Sequence, residues 1–272
     1  MILFPPAKIN LGLNVVRKRA DGFHDIETVM IPIPLHDILE VVVDRGVPKG
    51  RLEFTRTGLG IPGDKENDLC VKAVAAMRRL DPLPGLRIHL HKVIPTGAGL
   101  GGGSSDAAHT LLALNNLLQI ATSEQLHAMA TSLGSDVPFF LNAQAQLARG
   151  RGEFLEPIDV DLKGVWLIIV NPGIHVPTAE VYRSIIPSER SIDLSAILSG
   201  SSENWQSDLI NAMEISVLNK YPMIASIKQK LLDAGAFYSA MSGSGSTVFA
   251  LFRSEPPNIS WPTDHFIREF RL

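Results

Sequence analysis

The first part of the chain has runs of apolar residues with the character of β-strands. Apolar side chains dominate residues 9–16 and 26–33, and a turn signal at residues 20–22 separates the two runs. The pattern continues over residues 39–43 and 52–54. These segments predict a sheet built from antiparallel neighbours.

Helical spacing then mixes with strand spacing to the end of the chain. Leu69, Ala73 and Met77 recur at intervals of four residues, and Asn67 and Asp68 precede them as candidate N-caps. The elements predicted by the two periods are, in order, a helix over 68–80, a strand over 86–93, helices from about 104 and over 123–133, a strand over 165–170, helices over 178–185, 205–218 and 224–234, and strands over 237–241 and 247–252. Because strands and helices mix without strict alternation, the sequence indicates an α+β fold.

Glycine is concentrated in residues 95–105, between a predicted strand and a predicted helix. Five of these eleven residues are glycine, whereas the whole chain has 22 in 272. Glycine lets a backbone approach an anion closely, and a helix N-terminus offers N–H groups and a partial positive charge. The segment therefore predicts a phosphate-binding loop, with Ser104 and Ser105 adding hydroxyls for phosphate or magnesium. A tight loop without a ligand is the alternative.

Two common phosphate-binding motifs do not fit this loop. The G-x-G-x-x-G spacing that begins at Gly97 is typical of dinucleotide-binding folds, but residues 123–133 predict a helix where that fold needs a strand. A P-loop needs a lysine before its serine, and Gly103 precedes Ser104.

Two polar positions outside the loop are candidates for chemistry. Lys8 lies within a predicted strand, and Asn10 shares its face because side chains alternate along a strand. An exposed edge-strand lysine is the alternative to a charge aimed into a cleft. Asp136 follows a predicted helix, where an aspartate usually caps or turns the chain. It is also a candidate general base.

Composition excludes several classes of protein. A net charge of −3 gives no basic excess for binding nucleic acid. The single cysteine, Cys70, excludes a disulfide scaffold and a multi-cysteine zinc site. The first residues lack the basic region of a signal peptide, and no apolar stretch is long enough to span a bilayer. A globular protein of the bacterial cytosol, without a membrane partner, is expected.

Five ordered segments of the chain resemble motifs of the GHMP kinase family. They are AKINL at 7–11, RADGFH at 19–24, GLGGGSS at 99–105, GSDVPFF at 134–140 and MSGSGS at 241–246. The family pattern P-x-x-x-G-L-G-S-S-A-A is similar to residues 95–108, with extra residues in the glycine run. Five ordered motifs are far more specific than any one of them, so the chain is identified as a member of this family.

The resemblance implies a two-domain GHMP kinase fold. It implies a ribosomal-protein-S5-like N-terminal domain over residues 1–152, a ferredoxin-like C-terminal domain over 153–272, and an active site between them. It also implies transfer of the γ-phosphate of ATP, with Mg²⁺, to a hydroxyl of a small molecule. The ATP phosphates are expected on a loop formed by Pro95, Thr96, Gly97, Ala98, Gly99, Leu100, Gly101, Gly102, Gly103, Ser104 and Ser105.

The same resemblance assigns the catalytic roles. Asp136 is expected to orient the acceptor hydroxyl and take its proton. Lys8 is expected to lie near Asp136, keep it ionised and offset charge in the transition state. The metal ligands and the oligomeric state stay open.

Within the family, the motifs are most similar to those of the kinases of non-mevalonate isoprenoid synthesis, whose acceptor is linked to cytidine diphosphate. This implies that cytosine lies between Phe23 and Tyr182, that His24 binds the base edge, and that Asn10 belongs to the substrate site. Two positions depart from the family pattern. Phe23 stands where tyrosine is frequent, and Asp106 puts a negative charge near the phosphate loop.

Two other functions agree less well with the sequence. Another small-molecule kinase of the same fold, of the homoserine or mevalonate type, is disfavoured by residues 21–24 and by the motif around Asp136. A catalytically silent nucleotide sensor is disfavoured because both Lys8 and Asp136 are present. His89 and His91 form an H-x-H pair without a third ligand, which favours a solvated strand face over a metal site.

Overall fold

The computed structural model describes residues 1–188 and 192–272 and confirms the α+β class. The strands are β1 (Ile2–Leu3), β2 (Pro6–Lys18), β3 (His24–His36), β4 (Ile38–Val43), β5 (Leu52–Gly58), β6 (Leu86–Lys92), β7 (Gln146–Gly150), β8 (Phe154–Pro157), β9 (Trp166–Asn171), β10 (Tyr238–Met241), β11 (Val248–Phe252) and β12 (Phe266–Arg271). The helices are α1 (Leu69–Arg78), α2 (Gly102–Leu118), α3 (Ser123–Leu133), α4 (Thr178–Ser184), α5 (Leu194–Ser199), α6 (Trp205–Asp208), α7 (Glu214–Lys220) and α8 (Pro222–Asp233). No helix in these two ranges is long and apolar enough to cross a membrane.

Contacts divide the chain into two units whose segments interleave along the sequence. The first unit consists of residues 1–7, 35–96 and 101–143. The second consists of residues 8–34, 97–100 and 144–272. The expected domain boundary after residue 152 stays a prediction.

The first unit contains a four-stranded sheet in the order β1-β4-β6-β5. The pairing of β4 with β6 is antiparallel, but β5 pairs with β6 in parallel, with Phe54 opposite Ile88. The expectation of antiparallel neighbours is therefore wrong for β5. The physical reason is that α1 lies between β5 and β6 in the chain, and a helical crossover brings the next strand back in the same direction.

The N-caps of two helices in this unit explain where the helices begin. The Asp68 side chain accepts the Cys70 N–H at 3.0 Å, which confirms it as the cap of α1. Helix α3 is capped by Thr122. Thr122 and Gln125 exchange side-chain and backbone hydrogen bonds, which is a capping box.

The second unit contains two four-stranded sheets, β2-β3-β7-β8 and β10-β11-β9-β12. The sequence did not predict β7, β8 or β12. In the sequence, Gly150 and Gly152 interrupt the hydrophobic pattern. In the structure they form the turn between β7 and β8, where the Gly152 N–H donates to the Arg149 carbonyl. Apolar residues of β2, β9, β11, α7 and α8 make a shared core that includes Leu13 and Ile224.

The predicted helix over residues 205–218 is wrong, because it is broken into α6 and α7. Leu13 N–H in β2 donates to the Ile210 carbonyl at 2.9 Å, and Ala212 N–H donates to the Leu13 carbonyl at 2.8 Å. Residues 210–212 therefore pair with a strand and cannot continue a helix. Because the helix is broken here, the backbone on either side of Asn211 and the Asn211 side chain bond to other segments of the chain.

Candidate active site

The glycine-rich loop joins Lys92, at the end of β6, to Gly102, at the start of α2. Gly99 has φ +79°, and a Cβ built on it would lie 2.0 Å from the carbonyl oxygen of Ser242. Gly97 has a similar φ of +67°, but a Cβ there would lie 3.6 Å from the nearest atom, in the His175 ring. A second backbone segment therefore presses on the loop at Gly99 and not at Gly97.

Helix α2 begins with backbone donors suited to an anion. Its N-cap is Gly101, which supplies no side-chain cap, and the first intrahelical bond runs from Ser105 N–H to the Gly101 carbonyl at 2.9 Å. The N–H groups of residues 102–104 precede that bond and have no partner within the helix. Ser104 is partly exposed, whereas Ser105 is fully buried. Ser104 is therefore the serine that a ligand can reach.

Lys8 is buried in β2, and its ammonium contacts a neighbouring side chain and the glycine-rich loop. Its Nζ donates to Asn10 Oδ1 at 2.6 Å and to the Gly99 carbonyl at 3.0 Å. With 3% of its surface exposed, Lys8 is not the exposed edge-strand lysine of the alternative interpretation. The expected shared face of Lys8 and Asn10 is confirmed, and the charge lies against the glycine-rich loop.

Asn10 joins Lys8 to the second glycine-rich motif, at residues 242–246. Its Nδ2 donates to Thr28 Oγ1 at 3.1 Å, while its Oδ1 accepts from Lys8 and, at 3.5 Å, from Ser242 Oγ. Ser242 Oγ also donates to the Gly99 carbonyl at 2.9 Å. Asn10 thus orients the lysine, and its predicted contact with substrate stays a prediction.

Asn211 and Glu214, which the sequence analysis missed, hold the second motif in place. Asn211 Nδ2 donates to the carbonyls of Met241 and Gly243, both at 2.8 Å. Glu214 Oε1 accepts the Met241 N–H at 2.6 Å. Both side chains are buried, and both fall where the sequence predicted one continuous helix. Polar residues on a predicted helix gave no signal of this role.

The aromatic residues expected around cytosine all lie in the second unit. The rings of His24 and Tyr182 stack with centroids 5.0 Å apart and planes 20° apart. Phe23 is 51% exposed, and the Arg151 guanidinium lies 4.9 Å from its ring centroid. Partial burial, with a smaller effect of Lys18, lowers the pKa of His24 and favours its neutral ring. The expected position of cytosine between Phe23 and Tyr182 stays a prediction.

Asp136 lies in the first unit, in a turn between α3 and a 3₁₀ helix at Pro138–Asn142. Val137 N–H donates to the Gly134 carbonyl at 3.2 Å, which closes the turn, and Phe139 and Phe140 anchor it in the core. The Asp136 side chain is half-buried. Its expected approach to Lys8 stays a prediction.

Asp106 lies in the first turns of α2, directly after the glycine-rich loop, as the sequence indicated. Its carboxylate bonds to Lys92, and Lys92 bonds to Asp37, so the three form a buried cluster that we call the buried triad. Burial lowers the pKa of Lys92, but Asp106 and Asp37 outweigh it and hold that pKa above its usual value. Burial raises the pKa of Asp106. No local pattern in the sequence indicated that these residues meet.

His89, His91 and Cys70 have contacts and surroundings of their own. His89 and His91 bond to the Thr55 and Thr57 hydroxyls at 2.8–3.0 Å, and no group of three metal-ligating side chains occurs within residues 1–188 and 192–272. Cys70 is fully buried, and burial raises the pKa of its thiol, so it is not a nucleophile.

Comparison with protein families finds two models, both of GHMP kinases. The N-terminal domain of GHMP kinases matches residues 68–144, and the C-terminal domain matches residues 186–260. Both candidate loops are covered, since the first model contains residues 95–105 and the second contains residues 242–246.

Curated relatives cover nearly the whole chain. The chain is 43% identical over 258 residues to the 4-diphosphocytidyl-2-C-methyl-D-erythritol kinase of Cytophaga hutchinsonii. The aligned region covers 94% of this chain and 94% of that protein. It is 41% identical over 277 residues to the enzyme of the same name from Bacteroides thetaiotaomicron, which spans 100% of each.

Solved structures give the same order of similarity. A crystal structure of 4-(cytidine 5'-diphospho)-2C-methyl-D-erythritol kinase superposes with a TM-score of 0.79 and 36% identity, over 92% of this chain and 90% of that chain. The homoserine kinase of Cytophaga hutchinsonii superposes with a TM-score of 0.66 and 20% identity, over 92% and 85% of the two chains. The second likeness is one of fold alone.

Proposed function

The chain belongs to the GHMP kinase family, and from this membership we propose that it transfers the γ-phosphate of ATP to the 2-hydroxyl of 4-diphosphocytidyl-2-C-methyl-D-erythritol, a step in non-mevalonate isoprenoid precursor synthesis. One observation carries the choice of acceptor: identity to enzymes of that name is 41–43% over nearly the full chain, against 20% to a homoserine kinase.

The chemistry asks the protein for positioning and charge stabilisation more than for covalent catalysis. We propose that residues 95–105 hold the ATP phosphates. The left-handed glycines and the open N–H groups at the start of α2 support this role, since such groups bind anions. Lys8 adds a cation whose position is fixed by the Gly99 carbonyl of the same loop.

Asp136 is the proposed general base and Lys8 the proposed electrostatic partner. Asp136 takes the proton of the acceptor hydroxyl as the hydroxyl oxygen bonds to the γ-phosphorus, while the bond from that phosphorus to the bridging oxygen of the β-phosphate breaks and ADP leaves. Lys8 offsets negative charge on the transferred group, and its two fixed hydrogen bonds spare it reorganisation during the reaction. The turn that holds Asp136 is anchored by buried Phe139 and Phe140, which supports a defined position for its carboxylate.

Mg²⁺ is proposed to accompany the nucleotide. Magnesium keeps several waters and binds through one or two protein groups together with substrate phosphates, so it needs no cluster of carboxylates. Ser104, partly exposed on the first turn of α2, supplies a hydroxyl that fits this demand, and buried Ser105 does not. When bound, the ion neutralises charge on the β- and γ-phosphates.

The cytosine end of the acceptor is proposed to bind at Phe23, His24 and Tyr182. The stacked His24 and Tyr182 rings and the exposed face of Phe23 offer flat surfaces for a base. The neutral state favoured for His24 leaves one ring nitrogen as an acceptor for the base edge.

Removing either flanking ring is expected to weaken acceptor binding selectively. Phe23→Ala and Tyr182→Ala should each raise KM for the cytidine-linked acceptor about tenfold, because stacking on a base contributes about 1–3 kcal/mol. KM for ATP should not change. Steady-state kinetics with each substrate varied measures both, and Phe4→Ala, at another exposed phenylalanine, is the control. Unchanged acceptor KM in both variants would refute the stacking site.

The bacterial cytosol is the proposed location. The curated relatives are bacterial, and the single cysteine is a buried free thiol, as is common in reducing compartments. The proposed partner is the small-molecule acceptor, without nucleic acid, in keeping with the net charge of −3.

Acceptor specificity is the direct test of the proposed function. ADP release would be measured with ATP and magnesium, offering the cytidine-linked methylerythritol, homoserine, mevalonate and galactose in parallel. We expect turnover with the cytidine-linked acceptor alone. Turnover with another acceptor would keep the fold and overturn the substrate. No turnover with any of the four would favour a silent nucleotide sensor.

A further inference from the structure

The buried triad brings three titratable side chains together in the interior of the first unit. Lys92 Nζ donates to Asp37 Oδ2 and, at 2.7 Å, to Asp106 Oδ2. The three side chains are 0–3% exposed. Removing charged groups from water is unfavourable unless their partners are well placed, and apolar residues of similar shape often stabilise a fold as well or better. Stability alone does not account for such a cluster.

The triad connects the two ends of the glycine-rich loop. Asp37 Oδ1 accepts the N–H groups of Val93 at 2.6 Å and Ile94 at 2.9 Å, which are the first residues after β6. Asp106 belongs to the beginning of α2, which follows the loop. The Lys92 ammonium bonds to both carboxylates, so a single group links the start of the loop to the helix after it.

The Asp106 carboxylate accepts from Lys92 through its Oδ2 atom. Its other oxygen, Oδ1, is buried without a partner among the described residues. A carboxylate that is half satisfied contributes less to stability than an apolar side chain in the same space. The Asp106 carboxylate provides the hydrogen bond to Lys92, and this bond fixes α2 relative to residues 93 and 94.

We propose that Lys92 and Asp106 are positioning residues for ATP: their hydrogen bond sets the separation of the loop ends, and thereby aims the N–H groups of the loop and of α2 at the phosphates. This inference rests on the proposed function, because it assumes that the loop binds ATP. A glycine-rich segment has many accessible conformations, so fixing its two ends before the ligand arrives lowers the entropic cost of binding.

Two substitutions at Asp106 isolate this hydrogen bond. Asp106→Asn and Asp106→Leu remove the same charge and keep the branching at Cγ, but only asparagine keeps an oxygen that can accept from Lys92. Binding of a non-hydrolysable ATP analogue with magnesium would be measured by calorimetry, together with thermal unfolding and KM for the acceptor. We expect analogue affinity within about twofold of wild type for Asp106→Asn and about tenfold weaker for Asp106→Leu, as for loss of one hydrogen bond to a charged group.

The unfolding temperature separates positioning from a general loss of stability. We expect Asp106→Leu to bind the analogue weakly even if it unfolds at or above the temperature of Asp106→Asn, with the acceptor KM unchanged in both. If Asp106→Leu does not fold, the double variant Lys92→Met with Asp106→Leu removes the unpaired partner as well, and the same weakened affinity is expected.

Equal analogue affinities for the two Asp106 variants would overturn the inference, whether both match wild type or both are weakened. If the wild-type protein binds the analogue in that case, the proposed function is not contradicted. Absence of analogue binding by the wild-type protein would instead overturn the proposed function and this inference together.

Discussion

Replacing Asp136 by alanine is expected to lower kcat by about 10²- to 10⁴-fold, the usual contribution of a general base. The variant should fold, because the Asp136 side chain is only half-buried and the turn is closed by a backbone bond between Val137 and Gly134. Initial rates at saturating ATP and acceptor give kcat, and circular dichroism checks the fold.

Two control variants make this result specific to the carboxylate. Asp136→Asn keeps the shape of the side chain but cannot accept a proton at neutral pH, and it should be as slow as the alanine variant. Asp161→Ala makes the same change at an exposed turn elsewhere, where Asp161 accepts the Lys163 N–H, and should react at the wild-type rate. A near-normal kcat for Asp136→Ala would remove this residue from the mechanism.

Gly99→Ala is expected to abolish measurable ATP binding and to lower the free energy of unfolding by about 2–5 kcal/mol. Its φ of +79° is strained for alanine, and the new Cβ would lie 2.0 Å from the Ser242 carbonyl oxygen. The atom that this Cβ would meet belongs to the backbone of Ser242, so it cannot rotate away as the end of a flexible side chain would. The contact can be relieved only by separating the two glycine-rich segments.

Gly97→Ala is the matched control for the close approach. It lies two residues away in the same loop with a φ of +67°, but its Cβ would meet nothing closer than 3.6 Å. Only the backbone strain remains, and the expected loss of stability is about 1–2 kcal/mol. Urea unfolding and calorimetric binding of the ATP analogue distinguish the two variants. Equal losses in both would show that the approach to Ser242 does not matter.

The sequence predicted what depends on local pattern and on motif order. The glycine-rich loop, the helix after it and the strand bearing Lys8 and Asn10 were all expected, because periodicity and glycine density are local signals. Family membership was also predictable, since five motifs in order are seldom met by chance. The predicted roles of the site residues depend on that resemblance.

What the sequence could not predict depends on contacts between distant segments. The pairing of Leu13 with residues 210–212 overrides a helical pattern that is locally sound. The buried triad joins residues 37, 92 and 106, each of which is an ordinary polar residue in its own neighbourhood. No window of sequence contains the partners that give these positions their roles.

The position of β7 in its sheet has a consequence for synthesis of the chain on the ribosome. β3 has β2 on one side and β7 on the other, and Met30 pairs with Gln146, 116 residues later. At a synthesis rate of roughly 5–20 residues per second, β3 leaves the ribosome roughly 6–23 s before β7, the strand that pairs with its edge. A nascent strand with an unpaired edge can join another chain. The order of the strands therefore sets a period in each round of translation during which the edge of β3 is unpaired. During that period, chaperones or a low concentration of other chains must keep the nascent chain from aggregating.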